Sequence, residues 1–399
     1  SGSDRYVINY LMEEVLQQQP PELRHFLLCT SILTRLSAPL CATVSDQPEA
    51  KASWALHHLD DEHLFIIPLD AVGHWYRYHA LFAESLQTQL RESDPDLWNE
   101  LHRRASDWCA RNGHVERAID HALTAQDYDA AATFIEMAGE RTWATGGLAM
   151  LLTWLSTLPR PAFEGRISLR LLYAWVLFLH DRWSEATALW EETGAMLEQA
   201  SAPSERQYRG RWAAIGASMA AHRQEPEITI SLAQQALALL PPDDRTWCAV
   251  SHIDLGLAYH AQGSVAPAAR ILRAAADLSI AQGNAYLAFA ALGHLGDTYL
   301  TQGRLHEAQA TWERLQQIEE MPGGRGLALH AHGSVGLAQV AYERDDLLRA
   351  ERLLSESLER IWPGGQPRVV LAAYITLAAV YAAQGKYDLA GAQLEEGAA

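Results

Sequence analysis

The residues that could do chemistry in this chain are mainly histidines, because lysine is almost absent. Of 399 residues, 17 are His, and the only lysines are Lys51 and Lys386. A phosphate-binding P-loop needs Gly-x-x-x-x-Gly-Lys-Ser/Thr, since the Lys reaches the phosphates and the hydroxyl group binds magnesium. Lys386 follows Gly385, but Val380 stands where the motif has its first Gly, and Tyr387 stands where it has Ser or Thr. This chain alone is therefore not expected to hydrolyse ATP.

Three histidines, His57, His58 and His63, lie close together in the sequence and could suggest a metal site. Zinc sites want four ligands in a tetrahedral array, and no cysteine accompanies these three. Exposed polar histidines beside a loop are the favoured interpretation, so no metal is predicted. The chain also lacks a Gly-x-Ser-x-Gly nucleophile motif. We predict no catalytic residues and no enzyme activity in this chain.

Helical repeats are the elements that would position binding residues. Residues 255–272 carry Leu-Gly-x-x-Tyr followed by Gly, Ala and Leu, which is typical of a tetratricopeptide (TPR) helix pair. Gly256 would let the second helix approach closely, and Gly263 would end the first helix in a left-handed turn. Equivalents of Gly256 lie at 174, 217, 296, 338 and 378, at steps of 43, 39, 40, 42 and 40 residues. The period predicts an all-α, TPR-like superhelix (solenoid) of six long repeats.

The first helix of each TPR pair lines the inner surface of such a superhelix, where polar residues could bind a ligand. Hydrogen-bonding groups with one aromatic ring would suit a polar small molecule such as a sugar. For any single position, a solvated inner wall is the alternative interpretation. The predicted inward positions are Arg211, Ser218, His222, Ile253, Leu257, His260, Gly293, Asp297, His332, Gln339 and Tyr342.

The composition limits the classes of function. Apolar residues make up 49% of the chain, which indicates a folded protein. The net charge of −18 argues against broad contact with nucleic-acid phosphate or anionic membrane. Four scattered cysteines predict free thiols in a reducing compartment, and hence a cytoplasmic protein. No apolar run approaches the roughly 20 residues needed to span a bilayer, so no membrane partner is predicted. Residues 1–3 look like a cloning scar, and we expect a fragment of a longer protein.

One β-hairpin is predicted before the repeats. Residues 64–69 form a β-like run, residues 70–73 a turn and residues 75–78 a return strand, with helices on both sides. This order is typical of a small winged-helix domain, and no other β structure is predicted. Residues 1–92 carry six basic and twelve acidic residues, a balance of −6. Because a DNA-reading surface should be basic, we predict no direct DNA binding.

Three segments resemble MalT-like transcriptional regulators, which are signal-transduction ATPases with numerous domains (STAND): residues 21–33, 75–82 and 101–106. The resemblance covers nearly the whole chain. It implies a nucleotide-binding ATPase domain, a winged helix, a TPR-like sensor and often a C-terminal LuxR-type DNA-binding domain. This chain would supply the winged helix at 4–95, a helical TPR-like connecting region at 96–160 and the superhelix at 161–399.

The resemblance also implies a role for His79. Tyr78-His79-Ala80 resembles the Met-His-Asp motif of STAND winged helices, although Ala80 replaces the acidic residue. In that motif the His contacts the β-phosphate of ADP, so ATP or ADP with magnesium would be the cofactor of the longer protein. A histidine that only packs the wing against the next helix is the alternative.

Two functions remain open at this point. As a sensor, the superhelix would bind an inducer, either a small molecule or a protein, and shift an ADP-held closed monomer towards an open form that assembles. The nucleotide-binding domain of the same chain would then be a partner. As a TPR scaffold, the groove would hold a peptide or a partner protein. Small metabolites would stabilise a sensor, whereas a scaffold would respond only to protein or peptide.

Overall fold

The structure is a computed structural model that describes residues 16, 18–70, 72–199, 205–318, 330–360 and 367–398. By its contacts the chain forms two compact units. We call residues 1–138 and 153–164 the winged-helix unit, and residues 139–152 and 165–399 the repeat unit. No helix among the described residues is both long and apolar enough to cross a membrane.

The winged-helix unit begins with short helices and one hairpin. Pro21 opens the first helix, at a position where its missing N–H costs nothing, and Asp94 caps the fifth by accepting from the Leu97 N–H at 2.9 Å. The elements, in order, are α1 (Pro21–Thr30), α2 (Ala38–Ser45), α3 (Glu49–Asp61), β1 (Ile66–Pro68), β2 (Tyr76–Tyr78), α4 (Ala80–Ser93), α5 (Pro95–Arg111) and α6 (Val115–Thr124).

The hairpin is antiparallel, with Ile66 opposite Tyr78 and Pro68 opposite Tyr76. Tyr76 also pairs with Leu36 through two backbone hydrogen bonds of 2.8 and 2.9 Å, so the segment before α2 lies beside the wing. The Thr30 and Tyr78 hydroxyl groups lie 2.7 Å apart in the interior and join α1 to β2. Among the described residues these strands are the only ones, which confirms the predicted winged-helix pattern.

Beyond the hairpin, every regular element of the described chain is helical. A short 3₁₀ turn (Arg160–Phe163) follows α8. The helices are α7 (Tyr128–Ala144), α8 (Leu148–Thr157), α9 (Ile167–Leu179), α10 (Trp183–Gln199), α11 (Glu205–His222), α12 (Pro226–Leu239), α13 (Arg245–Ala261), α14 (Val265–Ala281), α15 (Ala285–Thr301), α16 (Leu305–Gln317), α17 (His330–Glu343), α18 (Leu347–Arg360), α19 (Pro367–Ala383) and α20 (Tyr387–Ala398).

The repeat anchors pack as the sequence predicts. A Cβ atom at Gly256 would lie 2.6 Å from Cγ of Leu272, and one at Gly296 would lie 2.5 Å from Cε2 of Trp312. Real Cβ atoms do not approach neighbours so closely, so in these two pairs only glycine lets the second helix come this near. Odd-numbered helices α9 to α19 are the first helices of the six predicted pairs. The TPR-like architecture is confirmed.

The turn that ends the first helix is left-handed in all six repeats, including the weak copies. Gly263 has φ of 76°, and the equivalent glycines 303 and 385 have 68° and 77°. Asp181, Gln224 and Asp345 hold the same place with φ of 57°, 60° and 61°. A non-glycine residue in this conformation costs about 1 kcal/mol. The repeat geometry is therefore imposed by packing even where the local residue opposes it.

Three points of the sequence analysis are not confirmed by the structure. Apolar residues at helical spacing predict a helix at residues 5–18, and this stretch lies almost entirely outside the described residues. Helix α2 lies in a stretch for which the sequence analysis predicts no element. The domain limits at 95 and 160 stay predictions.

Candidate ligand site on the first helices of the repeats

The predicted inward residues lie on helices α11, α13, α15 and α17, and several pair across neighbouring repeats. Arg211 on α11 donates from Nε to Oδ2 of Asp244 at 2.8 Å, and its Nη2 lies 3.4 Å from a carboxylate oxygen of Glu140. The guanidinium carbon lies 6.0 Å from the Trp247 ring centre. Since the Asp244 side chain is only 2% exposed, this pair links two repeats in a largely buried setting.

Ser218 is the next inward residue on α11, and it pairs with an acidic residue on α13. Its hydroxyl donates to Oδ2 of Asp254 at 2.6 Å, and both residues are buried. Burial raises the pKa of Asp254 to about 7, while the bond from Ser218 acts in the opposite direction. The site therefore holds a carboxyl group that changes charge near neutral pH.

Two further inward histidines, on α13 and α17, both contact α15. Nδ1 of His260 on α13 lies 3.2 Å from the Thr298 hydroxyl on α15, and burial lowers the pKa of His260. His332 on α17 packs against Gly293, where a Cβ atom would lie 2.9 Å from Cε1 of the imidazole. Burial lowers the pKa of His332 to about 4, and its Nδ1 has no hydrogen-bond partner among the described residues.

The remaining predicted positions are placed individually. His222 is exposed and stacks on Trp183 with ring centres 3.7 Å apart. Asp297 and Gln339 are half-buried on α15 and α17. Tyr342 packs, half-buried, against the cluster of apolar residues that joins α17, α18 and α19. The grouping of these four residues into one site stays a prediction.

The sequence analysis did not identify the partners Asp244, Asp254 and Thr298. Each lies close to one repeat length after its partner, at separations of 33, 36 and 38 residues. Pairing polar residues on first helices at that spacing would have found them. The signal is available in the sequence once the repeat length is known.

An aromatic cluster also lies on the first helices, and no sequence signal singled it out. Trp143 is fully buried with its ring centre 5.9 Å from those of Trp175 and Tyr286, and Trp175 lies 5.3 Å from Trp247. The three indole N–H groups have no hydrogen-bond acceptor among the described residues. The chain's own Trp143 therefore occupies this part of the repeat unit.

His79 lies in the winged-helix unit immediately before α4. Its backbone N–H donates to the Phe65 carbonyl at 2.7 Å, which ties the end of β2 to the residue before β1. The side chain is exposed and makes no capping bond to the helix. The imidazole of His79 is thus held at a helix N-terminus and faces solvent.

No described group of three His, Cys, Asp or Glu side chains is arranged to hold a metal ion. Two of the three histidines at 57, 58 and 63 are engaged with nearby backbone carbonyls: Nδ1 of His57 with Ser53 at 2.7 Å and Nδ1 of His63 with Asp60 at 2.9 Å. The four cysteines are free thiols, and burial raises the pKa of Cys29 and Cys109 to about 11. Both thiols are therefore poor nucleophiles.

A winged helix followed by TPR-like repeats defines the class of this protein region. Residues 12–98 match the MalT winged helix domain, and residues 210–398 match the MalT-like TPR region. Together these two matches cover more than two thirds of the chain, which belongs to the MalT-like family.

Full-length relatives show the same relationship. The chain is 28% identical to serine/threonine-protein kinase PknK of Mycobacterium tuberculosis, over 100% of this chain and 36% of the kinase. It is 25% identical to the HTH-type transcriptional regulator MalT of Vibrio cholerae, over 97% of this chain and 43% of that protein. The chain therefore spans well under half the length of these relatives.

A solved structure supports the fold. A STAND protein with a tetratricopeptide repeat sensor from Pyrococcus horikoshii aligns with a TM-score of 0.57 and 16% sequence identity. The alignment covers 97% of this chain and 65% of that one. At this identity the likeness establishes the shared architecture.

Proposed function

We propose that this chain is the sensor region of a MalT-like STAND regulator. Its repeats bind an inducer, a small molecule such as a sugar or a protein, and this binding controls nucleotide-dependent assembly. The observation that carries the proposal is the polar pairing between consecutive first helices, from Arg211–Asp244 through Ser218–Asp254 to His260–Thr298. A ligand that competes for these groups acts directly on the spacing between repeats.

The relatives support a role that is independent of the output domain. This region matches a protein named as a kinase and one named as a transcriptional regulator, each over nearly all of its 399 residues. A segment shared by two such outputs is suited to receive a signal rather than to perform either reaction. An inducer can shift a closed form to an open form only by the difference between its affinities for the two.

The later repeats are the better location for the inducer. Trp143 already fills the surface around Trp175 and Trp247. His260, Asp297 and the residues of α17 lie beyond that cluster. We place the ligand there, with imidazole and carboxylate groups as hydrogen-bonding partners.

His79 would contact the β-phosphate of ADP held by an upstream ATPase domain that also binds ATP and magnesium. The exposed imidazole before α4 supports this role, since a helix N-terminus favours an anion. In the full-length protein, His79→Ala should weaken ADP retention about tenfold or more. The matched control is His63→Asn, at an exposed histidine whose positive φ Asn tolerates. Unchanged ADP retention in His79→Ala would remove this role.

The second candidate is a TPR scaffold that binds a peptide or a partner protein. The exposed apolar residues of the last two helices favour it, with Leu371, Ile375 and Leu394 exposed by 48%, 50% and 52%. Such a surface is available for a partner chain. Copies of this protein, in the assembled state, are one such partner. Direct DNA binding by this chain and contact with a membrane are not part of either proposal, and both fit a cytoplasmic protein.

A thermal-shift screen of this chain against sugars, nucleotides and other metabolites separates the two candidates. A ligand at about 100 times its dissociation constant adds roughly 2.7 kcal/mol of stability. The sensor proposal expects a selective stabiliser whose effect is reduced by His260→Gln. The control is His252→Gln, on the same helix, because Nδ1 of His252 bonds to the Cys248 carbonyl within that helix. Stabilisation by peptides alone would favour the scaffold.

A further inference from the structure

A cavity of about 600 Å³ opens in the winged-helix unit. It forms because the bridge between Leu36 and Tyr76 brings the start of α2 against the wing. Ser37, Glu49, His57, Trp75, Tyr76 and Trp108 are among the residues that line it. The cavity is large enough for a small organic molecule.

The wing side of the cavity is held in one conformation by Asp70. Its carboxylate accepts three backbone N–H groups, from Val72 at 3.1 Å and from His74 and Trp75 at 3.0 Å. The Trp75 carbonyl in turn accepts from the Leu69 N–H at 2.8 Å. The turn that presents Trp75 is therefore ordered before any ligand arrives, which lowers the entropic cost of binding.

Ser37 lies at the edge of the cavity, immediately before α2. It is 6% exposed, and its hydroxyl has no hydrogen-bond partner among the described residues and makes no capping bond to α2. A buried hydroxyl without a partner is unfavourable, so Ser37 offers a hydrogen-bonding group beside the cavity.

Several polar groups around the cavity can act as acceptors. Nδ1 of His57 lies 2.7 Å from the Ser53 carbonyl and therefore carries a proton, so in the neutral form of the ring Nε2 is the acceptor. Glu49 adds an exposed carboxylate, and no Lys or Arg is among the lining residues. Burial, and after it the negative charges of Asp60, Asp70 and Asp61, raise the pKa of Tyr76. The surroundings are thus electronegative.

Aromatic rings complete the lining, with Trp75, Tyr76 and Trp108 present together. The faces of such rings attract cations, most strongly those of Trp. We propose that this cavity binds a small organic cation that carries N–H donors, an ammonium or guanidinium group. The cation belongs either to a free small molecule or to the arginine side chain of a peptide. Phosphate-bearing ligands are disfavoured because the lining contains the Glu49 carboxylate and no Lys or Arg.

Calorimetric titration of the purified chain tests the proposal with matched probes. Nα-acetylarginine methyl ester carries the guanidinium group as its one cation, and Nα-acetylcitrulline methyl ester replaces it with a neutral urea of almost the same shape. The arginine probe should bind at least about tenfold tighter, and more weakly as salt is raised. Equal binding of the two probes, or no binding of either, overturns the proposal. An acetylated Arg-containing peptide that binds more than tenfold tighter than the ester identifies a peptide as the source, and one that does not identifies a free small molecule.

Variants locate the cation. Trp75→Leu keeps apolar volume but removes the π face, and Glu49→Gln removes the carboxylate; each should weaken arginine-ester binding about three- to thirtyfold. The controls are Trp54→Leu, at a Trp that is 59% exposed on the same helix as Glu49, and Glu62→Gln, neither of which lines the cavity. Circular dichroism confirms that all four fold. Binding that survives Trp75→Leu and Glu49→Gln, or falls equally in the controls, overturns the proposal.

Discussion

The winged-helix unit and the repeat unit bury their interiors with different residues. In the first, large side chains such as Phe26, Leu56 and Leu86 form one cluster, and their partners come from distant parts of the sequence. In the second, a glycine or alanine of one helix faces a large ring or leucine of the next, as Gly296 faces Trp312. The first core is specified by long-range contacts, whereas the second is specified one repeat at a time.

The difference teaches which substitutions each unit tolerates. A cluster of aliphatic side chains can repack when one of them changes shape. A ring that lies directly on the backbone of a neighbouring helix has no such freedom. We therefore expect the repeat unit to be more sensitive than the winged-helix unit to a change in the volume of a single buried side chain.

The largest effect should follow from removing a ring between repeats. Trp312 is fully buried and lies against Gly296 and Gly336, which belong to two successive repeats. Trp312→Ala should reduce the free energy of unfolding by about 3–5 kcal/mol, as measured by urea denaturation. An equal loss of unfolding free energy in Leu56→Ala, in the winged-helix unit, would show that large cavities are equally harmful in both units and would contradict the comparison.

Adding one methyl group should have the next largest effect. A Cβ atom at Gly296 would lie 2.5 Å from Trp312, whereas one at Gly391 meets no atom within 4 Å. Gly296→Ala should cost about 1–3 kcal/mol through overpacking, and Gly391→Ala should be neutral or slightly stabilising because Ala favours a helix. Equal melting temperatures for the two variants would contradict the close-contact explanation of the repeat core.

Two buried groups, one in each unit, should make the free energy of unfolding depend on pH with opposite signs. Burial raises the pKa of Asp254 from 3.8 to about 7, so between these values the folded state holds the extra proton and acidification stabilises it. In the winged-helix unit, Nδ1 atoms of His102 and His121 lie 2.9 Å apart. Burial, then the charges of His121 and Arg91, lower the pKa of His102 to about 3, so its contribution is lost as pH falls below 6.5.

Two variants isolate these contributions. From pH 7 to pH 5.5, wild type should gain stability relative to Asp254→Asn and lose it relative to His102→Asn. Each change is limited to about 1.4 kcal/mol per pH unit and group. Parallel melts at several pH values measure both differences. The same sign for the two variants would exclude one of the assigned protonation states.

The smallest effect tests a single long-range contact in the winged-helix unit. Tyr78→Phe removes one hydroxyl from the buried pair with Thr30, whose own hydroxyl keeps its bond to the Phe26 carbonyl at 2.7 Å. Because that partner stays satisfied, the loss should be about 1 kcal/mol. Thr30→Val removes the Thr30 hydroxyl, and with it the bonds to both Tyr78 and the Phe26 carbonyl, so it should cost more. A larger loss in Tyr78→Phe would show that the wing depends on this contact alone.

Prediction from sequence succeeded where neighbours in space are neighbours in the repeat. Gly256 and Leu272 are 16 residues apart in one helix pair, so their meeting follows from helix geometry. For the site, the sequence gives only the approximate face of each helix, so the grouping of the predicted residues into one ligand site stays a prediction. Ser218 and His332 were predicted to line a groove, and the structure buries Ser218 against Asp254 and the imidazole of His332 against Gly293.

The sequence by itself determined the helical period, the left-handed turn after each first helix, the hairpin and the family, because these depend on spacing and on residues such as glycine whose conformations are local. Only the tertiary structure decided that Trp143 fills the surface around Trp175 and Trp247, and that Ser37 meets the wing through Leu36 and Tyr76. Those contacts join segments with no common period. Their energy comes from burial and from hydrogen bonds, which no single segment contains.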